Sequence, residues 1–398
     1  MQFLPGLVYF IILFFGDTMY HIIFNGDEKY IPYICVCITS IIQNTDKNIS
    51  YKKLADTLLS GDAAVNAEEK YCFYILTDFL SEETINKINK LEKELNAVFP
   101  VSIVCQFLDD KLFIDFPQWR KSYSAYYRIM LAEFLPQEVK RALYLDGDTL
   151  VNTDIRAFML QDLGEKKLAA VPNFTPLNHI IQSRVEKTAY SFSTQHCYFN
   201  SGVMLIDVEN WRKENVQEKV MHFLNAYHVV CPDQDTLNAV FQERVKILPY
   251  QWNLMWHNLI DPEELKKEWK EHPMPFADET FYENLDCPKI IHFSVKPWAS
   301  NGFRISKNCT PFYYPNIALW WDMAEKTPVF AKELLAIKES EPYQKMLKKN
   351  KRQELLLQYA WYRVLLRLKR YTRPFMRELE KPFKKIRDKR IKYKLTHK

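Results

Sequence analysis

None of the eight cysteines, Cys35, Cys37, Cys72, Cys105, Cys197, Cys231, Cys287 and Cys309, forms a C-x-x-C pair, and most lie inside apolar runs. The pattern argues against a zinc site or a disulfide framework and reads as buried, reduced thiols in a cytosolic protein. A membrane-spanning run is also missing. Leu4 to Phe15 is nearly all apolar, but it is shorter than the roughly 20 residues a spanning helix needs, and no basic residue precedes it. Residues 1–18 are therefore expected to be an apolar extension outside the fold. Acid is scarce at the other end. From Tyr343 to Lys398 there are 4 Asp and Glu against 20 Lys and Arg, whereas residues 1–342 carry 45 acidic and 34 basic residues, within an overall charge of +5. A basic appendage on an acidic body points to an anionic partner surface, membrane or nucleic acid.

What is present suits a large packed domain. The 398 residues are 47% hydrophobic, enough for one large core or two smaller ones, and the 15% aromatic content suits stacking on bases or sugars as well as core packing.

The centre of the chain is Arg141-Ala142-Leu143-Tyr144-Leu145-Asp146-Gly147-Asp148. An apolar strand stops at two carboxylates. In extended backbone, positions i and i+2 project to one side, so Asp146 and Asp148 are expected to share a cation. Hard oxygen ligands suit Mg²⁺ or Mn²⁺ held jointly with substrate phosphates, and Gly147 is expected to let that ligand approach the backbone. An acidic turn without a metal is the plainer alternative.

The flanking pattern alternates strand and helix. His21 to Phe24 reads as a first strand ending in Asn25-Gly26-Asp27-Glu28-Lys29-Tyr30, and Pro32 opens an apolar helix through about Ile42. Such a unit places a nucleotide at the carboxyl end of a parallel sheet, where Asp27 would bond a base or ribose and Tyr30 would stack on it. Capping by Asp27 and packing by Tyr30 is the alternative. Tyr71–Leu76 and Val101–Phe107 are further strands around a helix from Ser81 to Leu95, and a mostly parallel sheet with helices on both faces follows. Ser122 to Leu131 reads as one helix whose apolar positions surround Arg128, a cation that needs an anionic partner. Another helix begins at Asn152-Thr153-Asp154, and Leu168 to Pro172 is a strand. In Tyr198 to Asp207, Asn200 suits sugar hydroxyls and Ser201-Gly202 leaves room for a ligand. Asp233-Gln234-Asp235 opens the next helix, and Lys289 to Trp298 is a strand carrying His292 and Lys296.

Taken in order, these stretches resemble glycosyltransferase family 8, retaining nucleotide-sugar transferases that include bacterial lipopolysaccharide galactosyl- and glucosyltransferases. The resemblance covers about residues 19–300. It implies an α/β fold of GT-A type, a Rossmann-like mixed sheet flanked by helices. It also implies that Asp146, Asp148 and His292 hold Mn²⁺ (or Mg²⁺) against the diphosphate of a UDP-hexose. Asn25, Asp27 and Tyr30 would lie on the uridine side, Lys296 on the phosphates, and Arg128, Asn200, Asp233 and Gln234 on the donor sugar. Two departures stand out: Asn173 replaces the expected acid after the strand Leu168–Pro172, and the segment His292–Lys296 is shortened and lacks the usual glycine.

Residues 301–342 read as a connecting helical region and 343–398 as a basic helical tail. Leu355, Tyr359, Tyr362 and Leu366 make an apolar stripe beside Arg363, Arg367 and Arg370, an interfacial-helix pattern. Docking on the anionic inner face of the cytoplasmic membrane, beside a saccharide or glycolipid acceptor, is the expectation, with nucleic acid the less favoured partner. Two other functions compete. Asp146-Gly147-Asp148-Thr149-Leu150 also resembles the first motif of haloacid-dehalogenase-type phosphatases, although there the motif usually ends the first strand. The chain could otherwise be a non-catalytic membrane- or RNA-binding module.

Overall fold

The computed structural model describes residues 18–50, 53–54, 69–119, 121–173, 180–184, 189–191, 198–255, 287–306 and 308–372. The expected N-terminal extension up to residue 17, Cys197, and the basic segment from residue 373 lie outside them. The chain divides into two compact units, one of residues up to Lys296 with Ala318–Ala336, the other of Pro297–Ile317 with residues from Ile337 onward.

The first unit is built on strands β1 (Thr18–Asn25), β2 (Glu69–Thr77), β3 (Val101–Phe107), β4 (Arg141–Leu145), β5 (Thr149–Val151), β6 (Leu168–Pro172), β7 (Ile180–Ser183), β8 (Ala189–Ser191), β9 (Phe199–Asp207), β10 (Tyr227–His228), β11 (Val245–Ile247) and β12 (Ile290–His292). Seven of these form one sheet in the order β11-β6-β9-β4-β1-β2-β3. All neighbours are parallel except β9, which runs antiparallel to both β4 and β6. The alternating apolar segments thus give the expected α/β sheet, mostly parallel and mixed through β9, as the resemblance implied. From β1 the chain winds outward through β2 and β3, then returns to place β4 on the other side of β1. That reversal opens a crevice at the carboxyl ends of β1 and β4, where sheets of this type bind ligands.

The helix Ile31–Gln43 is apolar almost all round because nearly every side chain is buried, and Pro32 sits in its first turn where no N–H is needed. Its buried hydroxyls bond back into the helix, Thr39 Oγ1 to the Cys35 carbonyl at 2.8 Å and Ser40 Oγ to that of Cys37 at 2.6 Å. The helix Glu82–Asn96 starts at Ser81, whose hydroxyl accepts the Thr84 N–H, and buries Ile88, Leu91 and Leu95. Arg156, only 1% exposed, is held by Glu69 at 2.7 Å and Asp154 at 2.6 Å. Residues from Ala318 to Ala336 return to this unit, where Trp320 packs on Tyr33 and Glu333 pairs with Lys87 at 2.9 Å.

Four local expectations are corrected. Ser122 to Leu131 is not one helix: single turns at Ser124–Tyr127 and Leu131–Phe134 flank a tighter turn at Arg128–Met130. The helix after Asn152 is the short Arg156–Met159. The strand containing His292 stops there, leaving Lys296 in irregular backbone just before a turn. Of the cysteines, Cys35, Cys37, Cys72 and Cys309 are buried, but Cys287 is exposed.

The second unit contains the hairpin β13 (Phe303–Ile305) with β14 (Pro311–Tyr313), the helix Glu341–Leu356, and helical residues 360–372. Phe303, Cys309 and Leu357 make a small core with Tyr362 and Leu366 against it. Two residues of the expected interfacial stripe therefore pack inward. The other two, Leu355 and Tyr359, are exposed, as are Trp361, Val364, Leu368 and Tyr371. No helix among the described residues is long and apolar enough to cross a membrane.

Candidate active site

The acidic pair sits on a turn, not in extended backbone: the Thr149 N–H bonds the Asp146 carbonyl at 3.1 Å, closing it between β4 and β5. Neighbouring strands bring the partners. β5 pairs antiparallel with β12 so that His292 lies opposite Thr149, and the Phe293 N–H donates to the Asp148 carbonyl at 2.8 Å. β9 lies against β4, and the Asp146 N–H donates to the Gly202 carbonyl at 2.8 Å. Side chains more than 140 positions apart in sequence thus converge: the ligand atoms of Asp146, Asp148 and His292 lie within 4.8 Å of one another.

Their electrostatics fit a shared cation. Asp148 Oδ1 is buried with no hydrogen-bond partner and lies 3.2 Å from His292 Nε2. Burial lowers the His292 pKa, Asp146 opposes that shift and Arg128 adds to it, so the ring is neutral near pH 7 and offers a lone pair. Burial would raise the Asp146 pKa, yet Arg128 above all, with His292, Tyr144 and Lys296, holds it below the usual carboxylate value. Two carboxylate oxygens and one imidazole nitrogen are a donor set that Mn²⁺ accepts and Mg²⁺ tolerates less readily. Lys296 pairs with Asp148 Oδ2, and the Tyr30 hydroxyl reaches the same oxygen at 3.2 Å.

Arg128 finds the anionic partners its position demanded. Its guanidinium is 2.9 Å from Asp146 and 3.0 Å from Asp233, lies over the Tyr144 ring, and donates to the Ser201 carbonyl at 2.9 Å. Burial works against its charge, but the two carboxylates outweigh that and raise its pKa. Asn25 joins β1 to this wall by lying against the Tyr144 hydroxyl and donating to the Ser124 carbonyl. Asp27 does cap the turn, accepting the Tyr30 N–H at 3.1 Å, and still lines the cleft. Asn200 and Gln234 are bonded to each other at 2.9 Å. All the expected site residues, with Asn173, line one cleft of about 490 Å³.

The pattern of the family described as Glycosyl transferase family 8 matches residues 21–302. The chain belongs to glycosyltransferase family 8. It is 26% identical over 295 residues to General stress protein A of Bacillus subtilis, covering 72% of this chain and 89% of that protein. It is 25% identical to a lipopolysaccharide 1,3-galactosyltransferase of Salmonella typhimurium, over 66% of this chain and 74% of the relative. Among solved structures, the galactosyltransferase LgtC in complex with donor and acceptor sugar analogs superposes with a TM-score of 0.53 at 19% identity, covering 80% of this chain and 99% of that one. The bifunctional WbbM gives 0.60 at 20% identity, over 82% of this chain and 53% of that longer one. The fold is accordingly GT-A in type, as the resemblance implied. Because the family 8 acidic pair follows the fourth strand and not the first, the phosphatase resemblance of Asp146-Gly147-Asp148 is set aside.

Two glycines of this family 8 site do something other than admit a ligand. A Cβ at Gly147 would meet Ile34 at 2.5 Å and the Tyr30 ring at 3.1 Å, so the missing side chain makes room for the opening helix. A Cβ at Gly202 would meet His292 at 2.5 Å and Asp146 at 2.6 Å, so it makes room for the ligand cluster itself. Tyr144 and Asn253 were missed from sequence. Tyr144 reads as one more apolar strand residue, yet its hydroxyl bonds Asp146 at 2.8 Å. Asn253 is fully buried and touches His292; an amide set between Trp252 and Leu254 was its only signal.

Proposed function

We propose that this family 8 enzyme transfers a hexose, glucose or galactose, from a UDP-sugar to a saccharide acceptor of a surface glycan such as a lipopolysaccharide core. The observation that carries this is the convergence of Asp146, Asp148 and His292 beside the cleft, with a buried Asp148 oxygen that has no hydrogen-bond donor. These three side chains would hold Mn²⁺ or Mg²⁺, which when bound stabilises negative charge on the departing diphosphate. The names of the relatives, a lipopolysaccharide 1,2-glucosyltransferase of Escherichia coli at 24% identity among them, support the acceptor class.

The remaining roles belong to the chain's own residues. Asp27 and Tyr30, beside the carboxyl end of β1, bind the uridine, and Lys296 exchanges its pairing with Asp148 for the diphosphate. Arg128 fixes Asp146 and Asp233, so both carboxylates keep their charge and direction without reorganising as the glycosidic bond breaks. Asp233, Asn200 and Gln234 face the sugar, and Asn173 selects among its hydroxyls. Retention needs either a covalent glycosyl-enzyme or attack from the face that UDP leaves. Gln234 is a poor nucleophile, and its Oε1 already accepts from Asn200 at 2.9 Å and the Ser201 N–H at 3.2 Å. Same-face attack, with a diphosphate oxygen taking the acceptor proton, is the route these contacts support.

The second unit would dock the enzyme on the anionic inner face of the cytoplasmic membrane. Tyr359, Trp361, Val364, Leu368 and Tyr371 are all more than half exposed, and Arg363, Arg367 and Lys369 are interleaved with them. Each cation near an anionic surface contributes roughly 1 kcal/mol. Trp361→Glu with Leu368→Glu is expected to abolish sedimentation with anionic liposomes at low salt, and wild-type indifference to them would refute docking. Hydrolysis of UDP-glucose, UDP-galactose, UDP-N-acetylglucosamine and UDP-xylose, with and without Mn²⁺, tests the transferase itself. Turnover of UDP-glucose or UDP-galactose only with metal is expected; metal-independent turnover, or none with any donor, counts against it.

A further inference from the structure

We propose that Asn253 is a positioning residue that sets the tautomer of His292, placing the ring proton on Nδ1 and turning the Nε2 lone pair toward Asp146 and Asp148. The idea rests on those three side chains being the metal ligands. Its physical origin is a backbone group, the N–H of Gly202.

The direction of a hydrogen-bond chain through amides is ordinarily an assignment, because amide oxygen and nitrogen look alike. Here two backbone donors remove the ambiguity. The Gly202 N–H lies 3.0 Å from the Asn200 side chain, and a backbone N–H only donates, so Asn200 must turn its oxygen there. Its nitrogen then points to Gln234 Oε1 at 2.9 Å, and the Ser201 N–H, 3.2 Å from the same atom, independently requires an oxygen in that place. Asn253 approaches the Asn200 oxygen at 2.8 Å, which obliges it to present its nitrogen. Its own oxygen is left facing His292 Nδ1 at 3.0 Å. An amide oxygen only accepts, so Nδ1 carries a proton and, in the neutral ring, Nε2 is the nitrogen left with the lone pair.

Reversing the tautomer breaks the chain at a named place. Turning Asn253 over sets its oxygen against that of Asn200; turning Asn200 as well sets its nitrogen against the Gly202 N–H. Asn253 is 0% exposed, so solvent does not reach the first of these clashes. Each mismatch leaves buried polar groups unpaired, a penalty that opposes the pull of Asp148 and Asp146, 3.2 and 3.6 Å from Nε2, for a proton there. The local fold holds the geometry. The His292 N–H donates to the Leu254 carbonyl at 2.9 Å, and the Leu254 N–H to the Ile290 carbonyl at 2.8 Å, which keeps the residue before Leu254 beside the ring. The same chain ends on Asn200 and Gln234, so the metal side and the sugar side of the cleft share one polar scaffold.

The test begins without metal. Long-range proton–nitrogen correlation on metal-free protein labelled at histidine nitrogen, recorded at a pH where the ring is neutral, is expected to show the His292 proton on Nδ1 and none on Nε2. Asn253→Asp, although its second oxygen now opposes that of Asn200 at the cost of stability, keeps an acceptor for Nδ1 and should keep the proton there. Asn253→Leu, of similar volume and without a polar atom, should lose it. Mn²⁺ titration followed calorimetrically in the presence of UDP should then weaken by about 10- to 100-fold in Asn253→Leu, the range typical for groups that orient a metal-bound histidine. The metal concentration for half-maximal turnover should rise more than the saturated rate falls. A neutral wild-type ring with its proton on Nε2, or Asn253→Leu with unaltered tautomer and Mn²⁺ affinity, overturns the proposal. Should Asn253→Leu not fold, the wild-type spectrum and Asn253→Asp still decide it. Absence of Mn²⁺ binding in every protein would overturn the metal assignment instead, while the tautomer pattern continues to report on Asn253.

Discussion

Gly202→Ala adds one methyl group where the strand β9 passes the ligand cluster. Its Cβ would stand 2.5 Å from His292 Cε1, 2.6 Å from Asp146 Oδ2 and 2.9 Å from Asn200 Oδ1. Heavy atoms in good contact sit about 3.5 Å apart or more, so either the imidazole or the carboxylate must move by about 1 Å. The backbone cannot yield freely, because the Gly202 carbonyl accepts the Asp146 N–H and its own N–H bonds Asn200. Misplacement on that scale costs about a hundredfold in rate, equivalent to about 2.7 kcal/mol of barrier. Overpacking should destabilise the fold by about 1 to 3 kcal/mol, a separable effect. UDP release from the donor found by the sugar screen, titrated with Mn²⁺, reads the first quantity, and urea denaturation reads the second. Gly164→Ala is the matched control: φ there is +57° and no other atom lies within 4 Å of the added carbon, so stability should fall and activity should not. Gly202→Ala with a wild-type Mn²⁺ titration and turnover within twofold would show that this glycine is not what admits the cluster.

Asp148→Asn removes ligand charge at a buried position and should lower transfer by more than about a hundredfold while circular dichroism stays native; near wild-type turnover would exclude Asp148 as a ligand. Tyr30→Ala should weaken UDP binding by about 1 to 3 kcal/mol if the ring stacks on uracil, and calorimetry showing equal affinity would assign the ring to packing alone. His21 supplies a pH dependence, since burial lowers its pKa to about 4. Between that value and the ordinary 6.5 the unfolded chain binds the extra proton, so stability is full above pH 6.5 and is lost as pH falls toward 4, by about 3 kcal/mol in all. His21→Asn should flatten that limb of the urea-midpoint profile; an unchanged limb would mean that other groups produce it.

Much of this protein is legible in its sequence because the signals are local. Apolar runs ending at Asn25 and Leu145 place β1 and β4, Pro32 and Ser81 mark where helices start, and Asp146-Gly147-Asp148 stands at the end of its strand as the chemistry requires. A cation at Arg128 inside an apolar stretch correctly demanded acids, since burying an unpaired charge is prohibitive. The competition between capping and ligand contact at Asp27 could not be decided locally, and the cap proved to be formed with the side chain still on the cleft wall. Likewise the stripe through Tyr362 and Leu366 has helical spacing, but spacing alone does not tell a lipid-facing side from one packed on Phe303 and Leu357.

Only tertiary structure decided which atoms meet. Acidic pairing was inferred from extended geometry, whereas a turn and the antiparallel placement of β12 beside β5 bring His292 to Asp148 across 144 positions of sequence. That pairing, and the insertion of β9 against β4, is where a Cβ at Gly202 would meet His292 and Asp146 and where Asn253, an unremarked amide between two apolar residues, reaches the histidine. Composition and periodicity determine what each segment is made to bury. Which polar groups then face one another follows from sheet order and register, and those are properties of the assembled chain.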